Sequence, residues 1–301
     1  MVTQRPAFKT VSMLLPIAVL IIAMFCFQLG ATLAKQVFPI VGAAGATALR
    51  LGLSSLMLLA VFRPWRLRPG ASRWRNIVIY GIAMGCMNLC FYMSMERIPL
   101  GIAVALEFTG PLGVAIAMSR RVVDFCWVAL AVLGLIALLP LGLEAQPLDA
   151  KGVALALAAG IFWALYIVFG QRAGGARGGQ TVALGTVIAA IIIVPIGFVH
   201  AGRALLAPTL LPIGCALALV SSALPYSLEM YALTRLPART FGVLMSGDPA
   251  LGALAGMVFL GETLTLIQWA AIASIMVASA GSAATNRRAA EVPDAARSLP
   301  D

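Results

Sequence analysis

Apolar residues run through this chain without the two-residue alternation of a half-buried strand and without the charged face of a soluble amphipathic helix. Runs long enough to cross a hydrocarbon core as helix, about 20 residues, fall near residues 11–33, 42–62, 76–95, 100–118, 124–142, 151–171, 180–200, 209–232, 238–260 and 264–284. They are far longer than the ~10 residues of a membrane-spanning strand, which excludes a barrel. The pattern predicts an all-α membrane protein of ten transmembrane helices. The first run, from Val11 to about Leu33 behind Arg5 and Lys9, exceeds the roughly 7–15 apolar residues of a signal peptide and reads as an uncleaved helix.

Polar interruptions repeat along the chain. Arg97-Ile98-Pro99 opens an apolar segment that carries Glu107 and then Gly110-Pro111; Arg235-Leu236-Pro237 opens another that carries Asp248-Pro249, about 138 residues on. Asp124 aligns with Glu262, and the helix starting near Val11 with the one starting near Lys151. Each half then holds five helices, residues 11–142 and 151–284. An odd number turns the second half upside down relative to the first, the inverted-repeat plan of many carriers. Residues 285–301 form a polar tail expected to be disordered and cytoplasmic. Gly81-x-x-x-Gly85 and Gly252-x-x-x-Gly256 are expected to pack helices closely.

Composition agrees with lipid as the solvent. The chain is 61% hydrophobic and 11% charged, where a soluble domain has about 25% charged residues. Its net charge of +10 raises the question of nucleic acid, but its placement answers it. With both termini in the cytoplasm, that side takes Arg5, Lys9, Arg63, Arg66, Arg68, Arg73, Arg75, Arg120, Arg121, Arg172, Arg177, Arg235, Arg239, Arg287, Arg288 and Arg297. The other side takes Lys35, Arg97, Lys151 and Arg203. Basic residues in short loops resist translocation, so the excess is a topology signal and no nucleic-acid partner is implied. The basic linker Arg63–Arg75, with Trp65 and Trp74, reads as a clamp at the lipid headgroups.

Ionisable residues inside spans cost at least about 2.5–3.5 kcal/mol to insert and are functional candidates by default. Arg50, Glu107, Glu229 and Asp248 are in this class. Glu107 reads as a proton-exchanging or ammonium-binding carboxyl, or as a fixed partner of Arg50. Arg50 reads as a counter-ion for a substrate carboxylate, or as a structural partner of Glu107 or Asp248. Glu229 either joins the site or pairs with Arg235 or Arg239. Asp248 either caps a half-helix or touches substrate. Helical spacing groups Gln28 with Thr32, Asn88 with Tyr92, Trp163 with Tyr166, and Ser222 and Tyr226 with Glu229. The aromatic residues among these read either as a pocket wall or as interfacial anchors. Gly110, Pro111 and Pro249 mark the breaks.

Enzymatic motifs are missing: there is no HExxH, nucleophile elbow or Walker A loop. Cys26, Cys86, Cys90, Cys126 and Cys215 form no CxxC pair, and His200 is the sole histidine. No metal or other cofactor is expected.

Several stretches carry a family resemblance. Leu100-Gly101-Ile102-Ala103-Val104-Ala105-Leu106-Glu107-Phe108-Thr109-Gly110-Pro111-Leu112 and Ala223-Leu224-Pro225-Tyr226-Ser227-Leu228-Glu229-Met230 resemble signature stretches of the bacterial threonine/homoserine exporters. So do Ala232-Leu233-Thr234-Arg235-Leu236-Pro237 and Gly170-Gln171-Arg172-Ala173-Gly174. These exporters form part of the EamA branch of the drug/metabolite transporter superfamily, and the resemblance runs from about Leu15 to Ser282. It implies ten helices in two inverted EamA repeats, a bacterial inner-membrane location, and efflux of L-threonine and L-homoserine driven by the proton gradient. Ser246-Gly247-Asp248-Pro249 departs from the pattern, which has Met-Glu before the proline; the acid is kept but shortened by one methylene.

The expectation is therefore a secondary carrier that exports small zwitterionic amino acids in exchange for protons. Glu107 or Glu229 would meet the ammonium. Arg50, or backbone N–H groups freed near Gly110-Pro111, would meet the carboxylate, and Asn88, Thr109 or Tyr226 the hydroxyl. The alternatives are an exporter of other amino acids, metabolites or drugs, and a non-transporting scaffold or receptor. Oligomeric state has no signature in the sequence.

Overall fold

The structure, a computed structural model, describes residues 7–66, 70–117, 122–138, 148–174, 178–233, 235–236 and 238–285. Pro237, the tail beyond Thr285 and the basic residues Arg5, Arg68, Arg120, Arg121, Arg177, Arg287, Arg288 and Arg297 lie outside them, as does the side chain of Asp124. Every regular element among the described residues is helical: α1 (Ala7–Phe62), α2 (Ala71–Met95), α3 (Leu100–Glu107), α4 (Thr109–Ala117), α5 (Val122–Leu138), α6 (Ala150–Gly174), α7 (Gly178–Ala201), α8 (Leu210–Ala218), α9 (Leu224–Leu233), α10 (Ala238–Met245), α11 (Asp248–Leu260) and α12 (Leu266–Thr285). In hydrocarbon each backbone N–H and C=O must find its partner within the protein, and helices supply that locally.

Six helical segments are long and apolar enough to cross a membrane: Leu14–Phe62, Ala71–Met95, Ala150–Ala173, Gly178–Leu206, Leu210–Ala232 and Val243–Leu260. Shorter apolar helices lie at Leu100–Val114 and Leu266–Gly281. Large apolar side chains such as Val61, Ile161, Ile191, Val199 and Leu266 are exposed on the outer surface, as a lipid-facing protein requires. The molecule is a multi-pass membrane protein.

One expectation from the hydropathy pattern is corrected. Residues 34–41 are not a loop between two runs, because the helix continues to a kink at Gly42 (φ 68°, ψ 172°). That backbone geometry favours glycine, so Gly42, rather than the polar pair Lys35-Gln36, sets the break. Lys35 stays within the helix because its ammonium pairs with Glu262.

Small residues bring the helices together. A Cβ on Gly81 would lie 2.8 Å from the Gly185 carbonyl oxygen of α7, and one on Gly101 only 2.6 Å from the Ala253 Cα of α11. Both G-x-x-x-G pairs thus sit at helix contacts: Gly81 and Gly85 against α7, Gly252 and Gly256 against α3. At one end of the bundle Glu262 also accepts the Leu100 N–H at 2.8 Å, so α1, α3 and the α11–α12 link meet at one carboxylate. Near that end Arg97 pairs with Asp149 at 2.7 Å, and Asp149, just ahead of α6, accepts the Lys151 N–H. The Arg97 hydrogen bond holds the Asp149 carboxyl below the usual carboxylate range.

Two of the helical runs are broken at equivalent places. α3 is an eight-residue helix ending one residue before Phe108; α10 is an eight-residue helix ending one residue before Ser246. The two start 138 residues apart. These breaks face a central cavity.

Candidate functional site

Pro111 has no amide hydrogen, so the Glu107 carbonyl, four residues earlier, loses its intrahelical donor. Phe108 remains close to helical (φ −64°, ψ −13°), its N–H bonded to the Val104 carbonyl at 2.9 Å, and the Leu112 N–H reaches the Phe108 carbonyl at 3.3 Å. The break therefore releases an acceptor. What the proline frees is a carbonyl, which cannot receive a carboxylate. Gly110 contributes in a different way. A Cβ there would lie 1.9 Å from the Gly160 carbonyl oxygen, so α4 and α6 touch backbone to backbone.

The second break differs. Gly247 is the N-cap of α11, Pro249 stands in its first turn, and no side chain caps it. Asp248 is a candidate for that cap by sequence, but its carboxylate instead accepts Gln28 Nε2 of α1 at 3.0 Å. A third irregularity carries no proline signature at its own residues. Between α8 and α9 the chain forms a π-helix, Leu219–Ala223, and such turns often accompany functional sites. Here the Ser221 carbonyl accepts Arg50 Nη1 at 3.1 Å. Gly30 lets α1 approach this turn, since a Cβ there would lie 2.2 Å from Ser221 Cβ.

These irregularities surround one cavity of about 70 Å³. Gln28 and Arg50 of α1, Asn88 and Tyr92 of α2, Glu107 of α3, Trp163 and Tyr166 of α6, Tyr226 and Glu229 of α9, and Asp248 of α11 line it. Thr109 does not; its hydroxyl donates to the Leu106 carbonyl at 2.7 Å. Thr32 likewise turns back onto Leu29.

The polar groups are held unevenly. Asn88 Nδ2 donates to the Met84 carbonyl at 2.7 Å and to the Tyr226 hydroxyl at 2.9 Å. Arg50, only 3% exposed, donates Nη1 to the Tyr92 hydroxyl at 2.8 Å and to Ser221, and its Cζ lies 4.5 Å from the Tyr92 ring centroid. Its Nε and Nη2 have no hydrogen-bond partner, nor has Gln28 Oε1. A buried polar group left unmet costs about 1–3 kcal/mol, and more when charged.

The ion pairs among the described residues are Lys35–Glu262 and Arg97–Asp149. None joins Arg50 to Glu107 or Asp248, so the fixed-partner readings of Arg50 and Glu107 do not hold in this structure. Glu229 is not paired with Arg235, whose guanidinium lies 3.6 Å from the Tyr231 ring centroid. The aromatic residues are wall rather than interfacial anchors: Trp163 meets Phe108 edge-on, Tyr166 stacks on Tyr80 at 4.8 Å, and Tyr226 meets Phe27 edge-on at 5.1 Å. His200 is exposed at the end of α7. The five cysteines are free, and no metal-holding group of His, Cys, Asp and Glu occurs among the described residues.

Sequence reasoning passed over Phe27, Ala31, Met87, Phe91, Val104 and Met245, which complete the wall, and the Ser221 carbonyl. In a chain so apolar, no feature separates a lining methionine from a packing one. One guanidinium and three carboxyls around one cavity suit a compact ligand that carries both signs of charge.

Comparison with other proteins supplies the lineage. Residues 150–283 match the EamA-like transporter family. The chain is 59% identical over 278 residues to the threonine/homoserine exporter RhtA of Salmonella typhimurium (strain SL1344), covering 92% of this chain and 94% of that protein. Identity to the threonine/homoserine exporter RhtA of Escherichia coli (strain K12) is 57% over 280 residues, covering 93% and 95%. An uncharacterized transporter of Bacillus subtilis (strain 168), YwfM, is 27% identical over 242 residues, covering 77% and 81%. A crystal structure at 18% identity superposes with a TM-score of 0.60 over 91% of this chain and 98% of its own, and so shares the fold. Similarity to named exporters over more than nine-tenths of both chains and a helical membrane architecture agree: the chain belongs to the EamA-like transporter family and is a transporter.

Proposed function

We propose that this protein exports small amino acids, L-threonine and L-homoserine first among them, across the bacterial inner membrane in exchange for protons. The observation that carries the reading is the cavity, with a buried guanidinium and three carboxyls not paired to it in one wall. The names and 57–59% identity of the relatives support the same substrates.

The architecture in this reading is ten transmembrane helices in two inverted repeats, residues 11–142 and 151–284, with both termini cytoplasmic. Matching helix breaks 138 residues apart support the repeat, and the bias of basic residues supports the orientation. Clustering of Lys35, Arg97 and Lys151 around Glu262 and Asp149 is consistent with their common assignment to the outer side. Rocking one repeat against the other opens the cavity to each side in turn.

Coupling needs a carboxyl that holds either a proton or the substrate ammonium, but not both. Facing inward, the ionised carboxyl of Glu107 or Glu229 takes the ammonium; facing outward, a proton from outside displaces it, and the protonated carrier returns to release the proton inside. Glu107, beside the Pro111 break, and Glu229, on α9 at the cavity wall, are the two candidates. Counterflow in proteoliposomes tests the substrate class. Vesicles loaded with unlabelled threonine should accumulate labelled threonine and homoserine; no exchange of either overturns the reading.

A further inference from the structure

The cavity leaves two buried groups of opposite hydrogen-bonding sense unmet, and they define a direction for the ligand. Arg50 Nη1 is committed to the Tyr92 hydroxyl and the Ser221 carbonyl, while Nε and Nη2 are not committed to anything. Those two nitrogens form one edge of the planar guanidinium, with parallel N–H bonds that match the two oxygens of a carboxylate. On the other side, Gln28 must turn Nε2 toward Asp248, because a carboxylate accepts and does not donate. Its Oε1 is therefore left as an unused buried acceptor. Both residues line the same space.

Resting on the amino-acid reading above, we propose that Arg50 is the residue that recognises the substrate's α-carboxylate, through its Nε–Nη2 edge, while Gln28 Oε1 accepts from the α-ammonium that Glu107 or Glu229 exchanges for a proton. Tyr92 and the π-helical Ser221 carbonyl then have a positioning role: by holding Nη1 they turn the free edge to the ligand. The charges restrict the class further. A simple anion would satisfy Arg50 but leave the acids Glu107, Glu229 and Asp248 without a cation. A simple amine would leave Arg50 unmet. A free α-amino acid answers both.

The test is competition in threonine counterflow without an imposed gradient, using threonine, threoninamide and N-acetylthreonine as competitors. The wild type should discriminate against each blocked analogue by at least tenfold. Arg50→Lys keeps the positive charge but loses the two-toothed edge. It should raise half-saturation for threonine at least tenfold and bring the ratio between threonine and its amide toward one. A wild type that accepts threoninamide as readily as threonine overturns the assignment while leaving the transport reading intact, and needs no variant to fold. So does Arg50→Lys protein that is monodisperse in detergent and discriminates like the wild type. A wild type that exchanges neither threonine nor homoserine overturns the transport reading, and the assignment with it.

Discussion

Asn88 and Tyr226 stand 138 positions apart and hydrogen-bond to each other, Asn88 Nδ2 donating to the Tyr226 hydroxyl at 2.9 Å. The same interval separates the first residues of α3 and α10. Two positions that correspond in the proposed repeats thus touch at the cavity wall, as they would on an axis relating the halves. Both groups are buried, so each variant leaves a partner unmet, at about 1–3 kcal/mol. Asn88→Ala and Tyr226→Phe should each lower the thermal midpoint of the protein in detergent. The double variant should lose less than the two effects added together. Strict additivity would show that the contact is not formed.

Gly110 offers a sharper steric test. A methyl there would lie 1.9 Å from the Gly160 carbonyl oxygen, whereas one at Gly113, a single turn away, meets nothing within 4 Å. Overpacking costs about 1–3 kcal/mol where neighbours can shift, and a backbone oxygen shifts little. Gly110→Ala should fail to accumulate as monodisperse protein, and Gly113→Ala should match the wild type in size-exclusion yield. Equal yields would show that α4 and α6 are not in backbone contact.

The Glu262 carboxylate serves both Lys35 and the Leu100 N–H at the start of α3. Glu262→Ala removes an ion pair and a helix N-terminal acceptor, the latter worth about 1 kcal/mol; Glu262→Gln keeps the acceptor. Gly256→Ala would place a Cβ 2.3 Å from Glu262 Oε2 and should mimic the alanine variant. Thermal midpoints in detergent should therefore rank wild type above Glu262→Gln, and Glu262→Gln above the other two. A glutamine variant as unstable as the alanine variant would place all of the effect in the ion pair.

Membrane character and the two broken helices were legible because hydrocarbon imposes a simple rule. A span must be apolar, so each charge or Gly-Pro within one stands out. Glu107, Glu229, Asp248 and Arg50 stand out on that ground, and the structure brings them to one cavity. Which atoms meet was not legible. That Asp248 takes the Gln28 amide rather than capping α11 depends on how α1 lies against the second break, 220 residues away. That Arg50 finds the Ser221 carbonyl depends on a π-turn within an apolar run. Thr109 turns from the cavity wall for a local reason: a hydroxyl in a helix readily bonds the carbonyl three residues back, here that of Leu106. The Gly42 kink was missed because hydropathy averages over charge, and Lys35 is neutralised by a residue far along the chain.

Gradient-driven transport in proteoliposomes tests the coupled carrier most directly, with wild type beside Glu107→Gln and Glu229→Gln. An imposed pH gradient should drive labelled threonine in the wild type, and at least one variant should lose that drive while staying folded. Wild-type rates equal with and without the gradient, with both variants indistinguishable from it, would contradict the account.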